Sequence, residues 1–193
     1  MAEDPSWARL RAKLAKIKTK MKDFTPVNRR VGELVVRSVL RNFRAGGRPK
    51  WKTSMRVQLF GGTVLHSSGE LKRSVNFTAH KDSVIIGTNK PYSALQHFGG
   101  TITPKSKQYL TIPIGLSRQE QRQGKRAKDF SDTFIAKSGA GNLIIFQNVA
   151  SGIKPLFLLS KSVTIPPRPF LVIQEEDDDA ILREYSKHIG LLK

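Results

Sequence analysis

Between Pro26 and Gly46 the apolar residues Val27, Val31, Leu34, Val35, Val39 and Phe43 fall three and four apart, a spacing that a helix gathers on one face. The predicted helix covers about residues 26–44. Thr25 is its expected N-cap, Pro26 suits the first helical position because its missing N–H would be unpaired there anyway, and Gly46-Gly47 ends the run. A helix this one-sided must be covered by another layer, and the segments around it supply the candidates.

A narrower stripe precedes it. Trp7, Leu10, Leu14, Ile17 and Met21 mark a helix over 5–22, with Lys13, Lys16, Lys18, Lys20 and Lys22 largely off the stripe. So narrow a stripe fits packing on one partner, in cis or on a neighbouring subunit. Residues 46–70, rich in Gly, Lys and Ser, read as irregular. A strand follows in which Leu71, Val75, Phe77 and Ala79 alternate with Lys72, Ser74, Asn76 and Thr78, Arg73 being the one exception. A turn at Lys81-Asp82 returns it through residues 83–87. Pro91 opens a short helix that runs to Phe98 and stops at Gly99-Gly100.

Residues 108–114 read as a strand, and 117–131 as a polar loop carrying Arg118, Arg122, Lys125, Arg126 and Lys128. Residues 134–137 and 143–147 make a second hairpin. Extended segments at 156–159 and 163–165 lead through the stiff Pro166-Pro167-Arg168-Pro169 elbow into a last helix over 176–189, with Ile181, Leu182, Tyr185 and Ile189 inward. This order predicts an α+β fold with a mostly antiparallel sheet, N-terminal helices, a short helix after the first hairpin and a C-terminal helix. A single domain is expected over 1–193, with 1–24 as a helical arm and 104–160 as an enlarged hairpin and loop region.

The absence of cysteine excludes a disulfide framework, thiolate zinc sites and a cysteine nucleophile, and fits assembly in a reducing cytoplasm. No apolar run approaches the ~20 residues that cross a bilayer, and the charged N-terminus lacks the apolar core of a signal peptide. A soluble protein that stays in the cell making it is expected. The net charge of +19, from 34 Lys+Arg against 15 Asp+Glu, favours polyanionic partners, whether nucleic acid or an acidic protein surface. Glu175, Glu176, Asp177, Asp178 and Asp179 stand together. A basic end and an acidic patch let copies pair head to tail, which is how rings form. At the start of a helix the same acids also complement the positive end of the dipole.

Catalytic motifs are missing. His66, His80, His97 and His188 form no HExxH pattern, and His97 reads as a structural or interface histidine. There is no GxSxG elbow. Gly124-Lys125 lacks the upstream glycine of a phosphate loop, and Arg126 stands where a hydroxyl would hold magnesium. The acidic run has no second cluster to complete an octahedral shell. No catalytic residue, metal ligand or cofactor is expected, and the chain is read as no enzyme. The candidate subunit or DNA contacts are Trp7, Lys13, Lys16 and Lys20 on the first helix and Arg122, Lys125, Arg126 and Lys128 in the loop. Neither segment interleaves aromatics as single-strand readers do, and no helix-turn-helix or zinc finger is present.

Five strings occur in order: Arg48-Pro-Lys-Trp51, Leu65-His-Ser-Ser-Gly69-Glu-Leu71, Val84-Ile-Ile-Gly-Thr88, Tyr92-Ser-Ala-Leu-Gln-His-Phe-Gly-Gly100 and Ile165-Pro-Pro-Arg-Pro-Phe-Leu171. Together they resemble the phage virion morphogenesis family, which includes the Mu-like G proteins and the tail completion proteins of related myophages. The likeness covers about residues 48–100 and 163–190, with 104–160 departing from the simpler family pattern. It implies a structural protein of a tailed bacteriophage that joins head to tail or completes the tail, as a ring around the DNA channel. Implied partners are other copies of the chain, neighbouring neck, connector and tail proteins, and packaged DNA met non-specifically, with no membrane. The implied location is the neck or tail region of the virion, after assembly in the host cytoplasm.

The residues that carry the likeness are expected mainly to fold the domain. They are Trp51, Gly69, Leu71, Gly87, Thr88, Tyr92, His97, Phe98, Gly99, Gly100, Arg168, Pro169 and Phe170. Gly69 and Leu71 place a turn and the first inward residue of a strand. Tyr92, Leu95 and Phe98 pack a helical turn onto the sheet, and Phe170 anchors the entry to the last helix. Two other readings stay open: a nucleic-acid-binding protein, resting on charge, and a transient capsid-assembly factor absent from the mature particle.

Overall fold

Val27, Val31, Val35, Val39 and Phe43, the helical stripe of the sequence, are all buried and form the spine of the larger core. A computed structural model describes residues 5–191, and of residues 5, 59, 60, 118 and 122 it describes the backbone alone. In chain order the elements begin with α1 (Pro5–Lys20), α2 (Thr25–Ala45), α3 (Met55–Phe60), α4 (Glu70–Ser74), β1 (Val75–Ala79), β2 (Val84–Thr88) and α5 (Ser93–Phe98). They continue with β3 (Gly100–Ile102), β4 (Leu110–Pro113), α6 (Arg118–Arg122), β5 (Thr133–Lys137), β6 (Leu143–Val149), β7 (Gly152–Ser160), β8 (Val163–Ile165) and α7 (Glu175–Ile189). Every strand pairing is antiparallel, and the fold is α+β as the element order predicts. The chain divides into two compact units, Met1–Phe98 with Pro166–Lys193, and Gly99–Ile165.

In the first unit α2 is sandwiched between the β1–β2 hairpin and α7. A Cβ on Gly32 would lie 2.2 Å from Phe77 Cδ2, so glycine is what lets β1 come so close to the helix. Polar bonds pin both neighbours. Asn28 Nδ2 donates to the His80 carbonyl (2.8 Å) across the hairpin turn, and Tyr185 Oη of α7 donates to Asn28 Oδ1 (2.5 Å). The helix ends at Gly46 in the left-handed conformation (φ 70°). Its start differs from expectation. Phe24, not Thr25, holds the N-cap position, and Thr25 is already helical. Asp23 Oδ1 accepts from the Thr25 N–H (2.8 Å), so an acid one residue further out satisfies the exposed donor.

Four other expectations in this unit are corrected. Residues 46–70 contain α3, which Ser54 opens by accepting from the Val57 N–H (3.4 Å). The strand predicted from Leu71 starts only at Val75, because residues 70–74 form the helical turn α4. Leu71 and Val75 are buried one helical turn apart, and Arg73 breaks the alternation because there is no strand there to obey. Tyr92 is exposed and Phe98 is 76% exposed, so neither packs on a sheet. With only six residues, α5 turns one side inward and that side carries His97, whose ring meets Phe170 at 5.3 Å. Finally Leu182 is exposed. The inner face of α7 runs through Asp177, Ile181, Tyr185 and His188, and Leu182 stands about 100° away from Ile181.

The second unit is built on a four-stranded sheet in the order β4-β7-β6-β5, with β3 and β8 paired separately. Leu116, Leu156 and Phe157 are its buried centre, supported by Ala127, Phe130 and Ile145. The 117–131 segment is not a plain loop. Ser117 and Glu120 form a capping box that starts α6, and Ala127–Asp129 make a 3-10 turn.

Candidate functional site

The apolar stripe of α1 is left uncovered. Trp7 is 59% and Leu14 56% exposed, Leu10 and Met21 are exposed with them, and only Ile17 is half-buried. The helix is tethered at its C-terminal end, where His188 Nε2 lies 3.1 Å from the Lys20 carbonyl and 3.2 Å from that of Asp23. At about 100° per residue, Lys13, Lys16 and Lys20 form a basic column on one side of the stripe and Lys18 stands on the other. Lys13 and Lys16 are fully outward and Lys20 is half-buried.

The basic residues expected in the second unit are partly spent locally. Lys125 Nζ lies 5.4 Å from the centre of the Phe130 ring, a cation–π contact. Arg126 donates its backbone N–H to Asp129 Oδ2 (2.8 Å), while Arg126 and Lys128 are exposed. The Arg122 side chain lies outside the described residues. The same unit presents apolar surface on β5, the edge of the four-stranded sheet. Ile135 is 61% exposed, and Phe134 stacks on Phe146 with ring centres 5.6 Å apart.

Sequence reasoning missed a third basic face. Opposite its buried valines, α2 turns Arg29, Arg37 and Arg44 outward, beside a shallow depression lined by Leu34, Arg37, Leu40, Arg41 and Arg44. Arg30 pairs with Glu184 (2.8 Å), and Arg41 lies 3.5 Å from Glu176 and 3.4 Å from Asp177. Arg29, Arg37 and Arg44 make no ion pair among the described residues. The signal was legible as Arg29, Arg37 and Arg44, eight and seven residues apart, about two helical turns each.

The acidic run is divided in two. Asp177 is buried and accepts from Ser38 Oγ (2.6 Å) and the Gln174 N–H (3.0 Å). Glu176 contacts Arg48 and Arg41. Glu175, Asp178 and Asp179 face outward.

Three of the five strings that carry the family likeness meet at one aromatic cluster. Phe43 touches Trp51 (5.9 Å) and Phe170 (5.3 Å), and Phe170 touches His97. Trp51 and Phe170 are buried, and Trp51 Nε1 is a buried donor with no acceptor among the described residues. Arg168 is buried beside the cluster, donating from Nε to the Lys52 carbonyl (3.2 Å) and from Nη1 to Gln96 Oε1 (3.4 Å). Burial lowers its affinity for the proton from the usual guanidinium value. Burial also lowers the pKa of His97, whose Nδ1 accepts from the Leu171 N–H at 3.4 Å. Leu71 is buried, Gly69 starts α4 at φ 75°, and Thr88 Oγ1 lies 2.5 Å from Ser74 Oγ. Gly87 lies in β2, Gly99 and Gly100 both have positive φ, and Pro169 is exposed beside Arg168.

Among the described residues no three His, Asp or Glu side chains converge as metal ligands, and no helix is long and apolar enough to cross a membrane. No solved structure matches the chain. It is similar to the Mu-like prophage FluMu G protein 2 of Haemophilus influenzae, 25% identical over 167 residues that make up 86% of this chain and 79% of that protein. A profile of the phage virion morphogenesis family matches residues 6–133, a span that takes in both N-terminal helices and ends at the start of β5. The Ile165–Leu171 string lies beyond that span, yet its residues close the aromatic cluster built by the matched part. The chain belongs to the phage virion morphogenesis family.

Proposed function

We propose that this protein is a structural, non-catalytic component that joins head to tail or completes the tail of a phage particle. It acts as a ring of copies in the neck or tail region, built in the host cytoplasm. The observation that carries this reading is the uncovered stripe of α1 with its flanking lysines, in a chain of a virion-assembly family. Burying a large apolar side chain contributes about 1.5–3 kcal/mol, so Trp7, Leu10 and Leu14 together hold several kcal/mol in reserve for a partner. The β5 edge, with Ile135 and Phe134, is a second contact element. Neighbouring neck, connector and tail proteins take up these faces, and the basic surface meets acidic neighbours or the DNA that passes.

The test is to purify particles and locate the chain by mass spectrometry and labelled imaging. A signal at the junction of head and tail is expected. Absence from particles that require the gene would replace this reading with that of a transient assembly factor. In parallel, replacing Lys13, Lys16 and Lys20 together with alanine is expected to leave the far-ultraviolet circular dichroism unchanged and to lower the yield of infectious particles.

A further inference from the structure

The assembly reading leaves the partner of α1 unnamed, and the outward face of α7 matches it. Leu182 is 63% exposed at the centre of that face. By helical position Asp178 falls on one side of it and Glu175 and Asp179 on the other, all within about 100° of arc. All three acids are exposed and make no ion pair among the described residues. Ile173, just before the helix, is exposed as well. The face is thus an apolar centre bordered by acids on both sides. On α1 the stripe of Trp7, Leu10 and Leu14 is an apolar centre bordered by lysines on both sides. The helices have 16 and 15 residues, so each is about 23 Å long.

We propose that α1 of one copy docks along the outward face of α7 of a second copy, placing Leu14 and its neighbours on Leu182 and the α1 lysines beside Glu175, Asp178 and Asp179. The proposal rests on the assembly reading above and names the partner that reading requires. The two surfaces differ, so each copy gives one and receives the other. Such head-to-tail contact closes into a ring when the rotation between copies allows it. The inner acids Asp177 and Glu176 hold α7 to α2 by their own bonds. The outer acids are therefore free to serve a partner without loosening the fold.

A charge swap on the full-length chain tests this. The measurement is sedimentation velocity at low and moderate salt, with circular dichroism confirming that each variant is folded. The wild type is expected to associate, more strongly at low salt. Lys13→Glu with Lys16→Glu, and separately Asp178→Lys with Asp179→Lys, each place like charges across the contact. Each variant alone is expected to associate about tenfold or more weakly. Mixed in equal amounts, the two restore every contact as an alternating assembly, so association is expected to return. Leu182→Ser, a change at an exposed position that the fold does not need, is expected to weaken association as well. A wild-type chain that stays monomeric up to about millimolar concentration overturns the proposal. So do swapped variants that associate like the wild type, or a mixture of folded variants that stays apart. Particle imaging reads the function independently: a chain seen at the junction that fails the swap keeps its function and loses this contact.

Discussion

Asp177, in the middle of an acidic run at a helix start, turns inward while Glu175, Asp178 and Asp179 face outward. In the fold its carboxylate is buried, takes hydrogen bonds from Ser38 and from its own N-cap backbone, and ties α7 to α2. Three bonds to a buried carboxylate are at stake, the longest from Arg41 Nη2 at 3.4 Å, and removing it strands the Ser38 hydroxyl. Asp177→Ala is therefore expected to cost about 3 kcal/mol in urea denaturation. Asp177→Asn, which keeps an acceptor, should cost about half as much. An alanine variant as stable as the wild type would show that the knot is dispensable. His97 makes a second prediction, of pH dependence. Burial lowers its folded pKa below the ordinary 6.5, so between those values the unfolded chain binds the extra proton. Its contribution is fully present above about 6.5 and is lost as the pH falls from there through the folded value. Wild-type stability should thus decline on this limb, and His97→Gln should flatten it. Equal slopes in the two proteins would contradict a half-buried imidazole held neutral.

The elements differ in how much of them the sequence disclosed, and the reasons are local. Helix α2 was legible because valine spacing, Pro26 and Gly46-Gly47 agree, and its fold-level cost is testable at Gly32. Alanine is the better helix former by about 1 kcal/mol, yet a Cβ there meets the Phe77 ring at 2.2 Å. Overpacking costs about 1–3 kcal/mol, so Gly32→Ala is expected to destabilise, and a gain in stability would refute the close approach of β1. The 70–74 turn is ambiguous in the sequence because Leu71 and Val75 satisfy a strand's even spacing and a helix's four-residue spacing equally. Only Arg73 argued against the strand. The Ser117-x-x-Glu120 capping box is legible in the sequence, set among the charges of the 117–131 segment. As for the candidate site, the α1 stripe and its lysines could be read directly. That the stripe is uncovered could not, because the pattern of one helix does not say whether another element covers it. The same limit hid the outward Leu182, whose value depends on which way α7 is rolled. On β5, Ile135→Lys should leave stability within about 0.5 kcal/mol, since the side chain is exposed, while reducing particle yield. An unaffected yield would remove that edge from the assembly surface.

For the whole molecule the net charge of +19 has to be placed before it can be interpreted. The lysines of α1 border an apolar stripe, which suits a protein partner. The arginines of α2 border only a shallow depression, and Arg29, Arg37 and Arg44 make no ion pair among the described residues, with Glu33 the one acid of α2 that shares their face. Guanidinium groups pair with phosphate in two-bond geometry, so this ridge suits a nucleic-acid backbone better than the lysine columns do. The isolated protein is therefore expected to bind duplex DNA without sequence preference and to release it steeply as salt rises. If each outward arginine displaces one counterion, replacing all three with serine should flatten the plot of log affinity against log salt by nearly 3, at ~0.9 for each contact. Replacing Lys13, Lys16 and Lys20 instead should change that slope less while weakening self-association more. The opposite pattern would exchange the two assignments and put α1 against the DNA. Duplex binding alone would not separate a neck protein from a dedicated DNA-binding protein, because this charge attracts any polyanion. The dependence on which helix is neutralised does separate them, since a dedicated binder has no reason to keep its apolar stripe and its phosphate contacts on different faces.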